Sequence, residues 1–407
     1  MKKPELIPCF SAAAVALATL LAFVAPAMAG ETPEWQSEEG PPPMTFAVDD
    51  WTTTLDGYVR TGLTMVGLEG DKAPEFIGNN NGFALLNMRF GIDVKYLEDL
   101  EMRVQLDGAA DSRESINDAV GHQLVSLKDA YGRYNIGPFL GLLVGQSKPP
   151  VDVEAMQSTK GLMFIRRSIV SEGVEPGEGI ERPGNDGLDI RREVGLNLLS
   201  DVIDFGPVGL RYHLAMTNGA PSSMTRNDNN LFAYYGRLEF HLRNQIMGDY
   251  KPGSFLVLGG SAAYNQKTDG ELPNQLSVDD FLWQADLHFA AFGVDGLAEV
   301  IGRKRSYPDT GQGEQETLGI VAQLGYTLSL DRMALSAGYR FASLDPFKGD
   351  SSDLLMGDDK LTHHTIGLGY ARKDLPVAFK VDYTLTVEEA AVAIDNDLLE
   401  VLMQFVW

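Results

Sequence analysis

The sequence predicts a transmembrane, antiparallel, up-and-down β-barrel of about sixteen strands. Three observations predict it. Segments of about ten residues alternate apolar and polar from about Thr53 to the last residue. The links between those segments are short and long in turn. Past the N-terminal leader, no apolar run reaches the ~18 residues that a membrane-spanning helix needs.

The chain has 407 residues, 44% of them hydrophobic. Its mean hydropathy of -0.11 suits a barrel, because every second side chain of each strand faces a polar interior. One closed sheet can use several hundred residues, so the length does not force several domains.

Residues 1–29 read as a secretory signal. Lys2 and Lys3 precede an apolar stretch from Phe10 to Val24, and Ala27 and Ala29 supply small residues for cleavage before Gly30. Residues 30–52 are rich in Pro and Glu, with Pro41, Pro42 and Pro43 in a row, and read as an extended periplasmic segment. Residues 53–407 read as the barrel. The single cysteine, Cys9, lies in the leader, so the mature chain has no disulfide, thiol chemistry or cysteine metal site.

Candidate strands begin near Leu55, Phe83, Leu100, Leu124, Phe139, Asp189, Gly206, Leu231, Ser254, Phe281, Leu297, Thr317, Met333, Leu361, Val377 and Leu398. The second shows the two faces most clearly. Leu86, Met88, Phe90, Ile92 and Val94 share one face with Tyr96, while Asn87, Arg89, Asp93 and Lys95 share the other. Residues 70–81 follow the first strand, but only residues 97–99 follow the second. Residues 112–121 follow the third, but only Gly137 and Pro138 follow the fourth. Short turns on one rim and long loops on the other are the habit of outer-membrane barrels, and an even strand number puts both chain ends on the short-turn side. Tyr58, Tyr96, Phe139, Phe292, Tyr339, Tyr370 and Trp407 lie near strand ends, where aromatic girdles form. The final strand alternates from Leu399 and stops on Trp407.

The net charge of -24 excludes nucleic acid as a partner. Acid is concentrated in residues 172–181 and 350–359. Acidic outer loops either bind divalent cations that bridge to lipopolysaccharide or simply keep loops soluble. The expected partners are outer-membrane lipid and lipopolysaccharide. No zinc-like His/Cys spacing, G-x-S-x-G elbow or P-loop occurs, so neither metal nor cofactor is expected. The outward parity is nearly all apolar and His213 and His288 fall on the lumen side, so the sequence reading is that the chain is not an enzyme.

The connection at 149–188 is far longer than the others. Its first half carries Met156, Leu162, Met163, Phe164, Ile165, Arg166 and Arg167, which is too apolar for a surface loop. It is expected to fold into the barrel against the wall. The string Val144, Gly145, Gln146, Ser147, Lys148, Pro149, Pro150, then Glu154, then Phe164, Ile165, Arg166, Arg167, Ser168, resembles the phosphate-selective porin family of O and P type. Leu127 to Tyr131, Arg191 to Gly195 and Thr217 to Gly219 agree in order and spacing. The resemblance is good over residues 124–219 and diffuse elsewhere. It implies sixteen strands, an inward third loop that narrows a pore, and a homotrimer.

By alternation, the basic residues expected to line that pore are Arg89, Lys95, Arg103, Arg211, Arg237, Arg340 and Lys380, with Lys148, Arg166 and Arg167 at the constriction. Asp93, Glu101, Asp107, Glu239, Asp286 and Glu299 share those faces, so the lumen is expected to be mixed in charge. The function this implies is a porin: a water-filled channel for small ions and solutes, with phosphate or other anions as a narrower reading. A plugged barrel acting as a surface binding or anchoring protein is the alternative.

Overall fold

The structure is a computed structural model that describes residues 44–68, 81–97, 99–111, 123–174, 185–188, 190–219, 227, 229–242, 255–269, 276–309, 314–346, 348, 360–389 and 396–407. The expected leader, most of the Pro/Glu segment and the acidic stretch 350–359 lie outside the described residues.

Among the described residues, sixteen strands close into one antiparallel barrel. They are β1 Trp51–Leu68, β2 Gly82–Tyr96, β3 Leu100–Asp111, β4 Gln123–Gly137, β5 Leu140–Ser147 and β6 Glu193–Leu199, then β7 Val208–Thr217 and β8 Ala233–Leu242. The second half holds β9 Phe255–Asp269, β10 Leu276–Ala291, β11 Val294–Ser306, β12 Gln315–Ser329, β13 Met333–Asp345, β14 Lys360–Arg372, β15 Val377–Glu389 and β16 Asn396–Val406. Each pairs with its sequence neighbours, and β1 closes on β16 from Tyr58↔Val406 to Leu68↔Asn396. Two short additions complete the sheet: Ile203–Phe205 extends the β6 edge along β7, and Met44–Val48 lies along Trp51–Leu55.

All sixteen expected strands are present, with some starts displaced. The first begins at Trp51, the sixth at Glu193 and the tenth at Leu276. Asp279 and Asp280, which precede the expected start at Phe281, pair with Gln266 and Asn265. Barrel walls continue past the hydrocarbon, where polar strand ends keep their ladder bonds.

The connections alternate as expected with one exception. Between β8 and β9, where the alternation calls for a short turn, the sequence has the long stretch 243–254, which lies outside the described residues. One of the two-residue turns is Phe292–Gly293, where both residues have positive φ (54° and 80°). That pair of dihedrals suits a two-residue hairpin whose twist matches the flanking strands.

The two faces separate as the alternation requires. Phe90 is 40% exposed, Phe379 42% and Leu368 59%, whereas Arg89 is 8% exposed, Lys380 4% and Thr365 1%. Large apolar side chains therefore form the outer wall, and polar ones are covered inside. Tyr58 departs from the expectation of an interfacial girdle. It is buried and faces inward, with the Arg89 guanidinium 5.6 Å from its ring centroid.

A charge placed on the outer wall should be costly. Ile366→Arg is expected to lower the folding free energy in lipid vesicles by about 2–4 kcal/mol, the depth-dependent cost for a cation near the bilayer midplane. Denaturant titration monitored by tryptophan fluorescence measures it, and a neutral result would mean that this face does not meet lipid.

Candidate functional site

The segment between β5 and β6 leaves the outer rim at Ser147 and returns to it at Glu193. In between it descends inside the barrel almost to the opposite rim, where Gln404 Nε2 donates to the Lys160 carbonyl at 3.2 Å. Its described residues include two single-turn helices, α1 Val153–Met156 and α2 Ile169–Glu172, with a 3-10 turn at Thr159–Gly161 between them. Asp152 caps α1 by accepting from Ala155 N at 2.9 Å, and Ser168 caps α2 through Ser171 N.

Two kinds of contact hold this loop to one side of the lumen. The first is apolar. Val151, Ile169, Val170 and Leu188 pack with Ile301, Val321, Ala342, Leu344 and Leu361 of the inner wall. Four wall glycines make room: Gly319 lies under Val170, Gly325 and Gly338 under Met163, and Gly367 under Phe164. A Cβ at any of them would collide with the loop.

The second is polar. Arg340 donates to Glu154 Oε1 at 3.1 Å and to the Arg166 carbonyl at 2.8 Å, and its guanidinium lies 4.7 Å from the Phe164 centroid. Asp382 accepts from Ile165 N at 2.6 Å, Glu299 from Val153 N at 3.1 Å, and Glu400 from Arg166 Nε at 2.6 Å. Lys380 donates to the Leu162 carbonyl, and Arg60 to the Ile165 carbonyl. β1, β11, β13, β15 and β16 thus each supply a clamp.

The expected site residues divide into three groups. Arg340, Lys380 and Arg166 meet at the loop–wall contact just described. Lys148 and Arg167 brace the loop internally: Lys148 donates to the carbonyls of Ala155 and Gln157, and Arg167 to those of Glu154 (3.0 Å) and Gln157 (2.9 Å). The remaining arginines sit on the wall in ion pairs. Arg89 pairs with Asp107 at 3.1 Å. Arg103 pairs with Asp93, and with Asp56 at 3.6 Å. Arg237 meets Asp286 at 2.8 Å and Glu239 at 2.7 Å, and Arg211 meets Glu239 at 3.7 Å. Lys95 is exposed near the short-turn rim, opposite Glu101 in the β2–β3 register.

Sequence reasoning missed Arg60. It is 2% exposed and bridges Asn87 Oδ1 (2.9 Å) to the loop. Its neighbours Gly57, Thr61 and Gly62 blur the alternation that would have marked it. The inward apolar residues Ile301, Val321 and Leu344 were missed too, since the inner face was expected to be polar throughout. Among the described residues, no group of His, Cys, Asp and Glu has metal-binding geometry.

No protein-family model and no curated relative matches the chain. Solved structures do. The outer membrane channel DcaP of Acinetobacter baumannii superposes with a TM-score of 0.56 at 14% identity, covering 89% of this chain and 99% of that one. An anion-selective porin from Comamonas acidovorans gives 0.52 at 12% identity, with 88% and 100% covered. OmpT, an outer membrane protein of Vibrio cholerae, gives 0.52 at 10% identity, with 89% and 99% covered. The fold is therefore the one that outer-membrane porins and channels use.

The sequence-based exclusion of an enzyme is withdrawn. The neighbours include OmpT, named only as an outer membrane protein, and likeness at 10% identity fixes a fold while leaving catalysis open. One ground for that exclusion also fails. His364 stands on the outward face with Ile366 and Leu368, its Nδ1 2.7 Å from Tyr339 Oη, next to a Thr362–Ser343 hydrogen bond of 3.2 Å.

Arg340 and Glu154 are both almost fully covered, so removing one leaves the other as an uncompensated buried charge. Arg340→Met is expected to destabilise the folded barrel by about 3–5 kcal/mol. Adding Glu154→Gln should recover a large part of that loss. Equilibrium unfolding of both variants checks this, and a double variant as unstable as the single one would show that the pair is not coupled.

Proposed function

We propose that this chain is an outer-membrane porin, forming a water-filled channel for small ions and solutes that is narrowed by the loop between β5 and β6. The observation that carries the reading is the loop's one-sided anchoring. Its clamps come from β1, β11, β13, β15 and β16, while Arg103 of β3 and Asp93 of β2 keep contact with solvent, their side chains 21% and 14% exposed. A loop drawn to one wall narrows a lumen without filling it. For that reason we set aside the plugged barrel acting as a surface binding protein.

The same reading includes export after signal cleavage near Ala29, residence in the outer membrane among lipid and lipopolysaccharide, and assembly as a homotrimer. The N-terminal sequence and the outer apolar wall support the first two. Trimerisation draws on the family resemblance and on an OmpT structure described as a trimer form.

Passage of phosphate or other anions is the narrower reading. The resemblance around Lys148, Arg166 and Arg167 supports it, as does Arg166 itself, whose side chain is 37% exposed. The pairing of the wall arginines with carboxylates weighs against a strong anion field. We therefore assign selection mainly to size, with Arg166 giving a mild bias toward anions.

Planar-bilayer recording of the purified mature protein tests the proposal. Discrete conductance steps are expected in KCl, and their absence would remove the channel reading. In a salt gradient, Arg166→Ala with Arg167→Ala should move the reversal potential toward cation preference. An unchanged potential would place both residues off the permeation path.

A further inference from the structure

The cations gathered at the loop–wall contact are not equivalent. Arg60, Arg340 and Lys380 are covered, and each donates to a loop carbonyl. Arg166 differs. Arg340 holds its carbonyl, but its own side chain leaves that contact and stays 37% exposed. Of these four cations, it is the one that water and a passing ion can reach.

The Arg166 side chain runs to β16. Its Nε donates to Glu400 Oε1 at 2.6 Å, and Thr64 Oγ1 donates to the same oxygen at 3.4 Å. The Glu400 side chain is 8% exposed, and among the described residues Arg166 is its ion-pair partner. The wall pairs Arg89–Asp107 and Arg237–Asp286 have both partners on the barrel. Here the loop brings the cation and the wall brings the anion. The register gives the reason for a wall charge that needs answering at this level. Glu400 lies directly opposite Asp382, whose carboxylate accepts from Ile165 N. Like charges across two strands repel, so a cation delivered by the loop offsets part of a repulsion that the sheet builds in.

Two opposite charges with their atoms 2.6 Å apart present a dipole to the lumen, and their fields largely cancel a short distance away. Arg166 therefore counts for less than a full charge at the constriction. We propose that Glu400 is a positioning residue that sets the ion selectivity of the channel through Arg166: it directs the guanidinium toward β16 and cancels most of its charge. This rests on the channel reading.

Glu400→Gln separates fastening from cancelling. The amide oxygen still accepts from Arg166 Nε but carries no charge. If Glu400 only fastens the loop, the reversal potential in a KCl gradient stays where it is. If it cancels charge, the potential moves toward anion preference. The anion-to-cation permeability ratio should then rise about threefold, the scale of one unit charge a few ångströms from an ion in water. Glu400→Asp keeps the charge and should not show that rise. Arg166→Ala alone should move the potential the other way, because it strips the cation from a standing carboxylate. Arg166→Ala with Glu400→Gln removes one charge of each sign and should return the potential close to that of the unsubstituted protein. This double variant also decides the matter if Glu400→Gln alone does not fold, since it leaves no unanswered charge of the pair. A conducting Glu400→Gln channel with an unchanged potential would overturn the assignment, as would a double variant no different from Arg166→Ala. Absence of conductance steps from the unsubstituted protein would strike down the channel reading itself, and the assignment with it.

Discussion

A peptide group inside hydrocarbon has no water to bond, so every strand of a sheet that crosses a bilayer needs a neighbour on both edges. The rest of this molecule follows from that requirement. β1 meets it by pairing with β2 along one edge and β16 along the other. The seam ends where Gly57 and Trp407 exchange two backbone hydrogen bonds of 3.0 Å. Beyond it, Met44–Val48 takes over the edge that β16 has left. Closure also creates the interior, since alternate side chains of a closed sheet must point into a common space.

Filling that interior selectively is the work of the loop. Its apolar side chains sit on an apolar patch of the inner wall, a contact that is not directional and fixes little by itself. The ion pairs and hydrogen bonds fix the position. Glu154, for instance, accepts from Arg340, Ser168 N and Ser171 Oγ together, which leaves it no other geometry. Buried ion pairs contribute little net stability but punish displacement heavily. A loop held this way keeps its shape in the aqueous lumen, where apolar contact alone would let it slide.

The barrel was legible because alternation is a local signal. Met88, Phe90 and Ile92 against Arg89 and Asp93 declare two faces within a few residues. The loop's inward course was legible for the same reason, since Leu162, Phe164 and Ile165 are too apolar for water. Its partners were not legible. Glu400 lies 234 residues from Arg166 and Asp382 lies 217 from Ile165, and only closure brings them together. Alternation also misled where the inner wall turns apolar to receive the loop, as at Ile301 and Val321. Tyr58 was misread because strand position alone does not tell an interfacial aromatic from one that supports a guanidinium.

The glycines beneath the loop have a geometric consequence. Gly319, Gly325, Gly338 and Gly367 form a shallow trough on the inside of the wall, and Val170, Met163 and Phe164 sink into it. Side chains there would push the polypeptide toward the barrel axis. Thinning the wall on one side therefore widens the aperture on the other, and bore is set as much by missing atoms behind the loop as by the residues that face the stream.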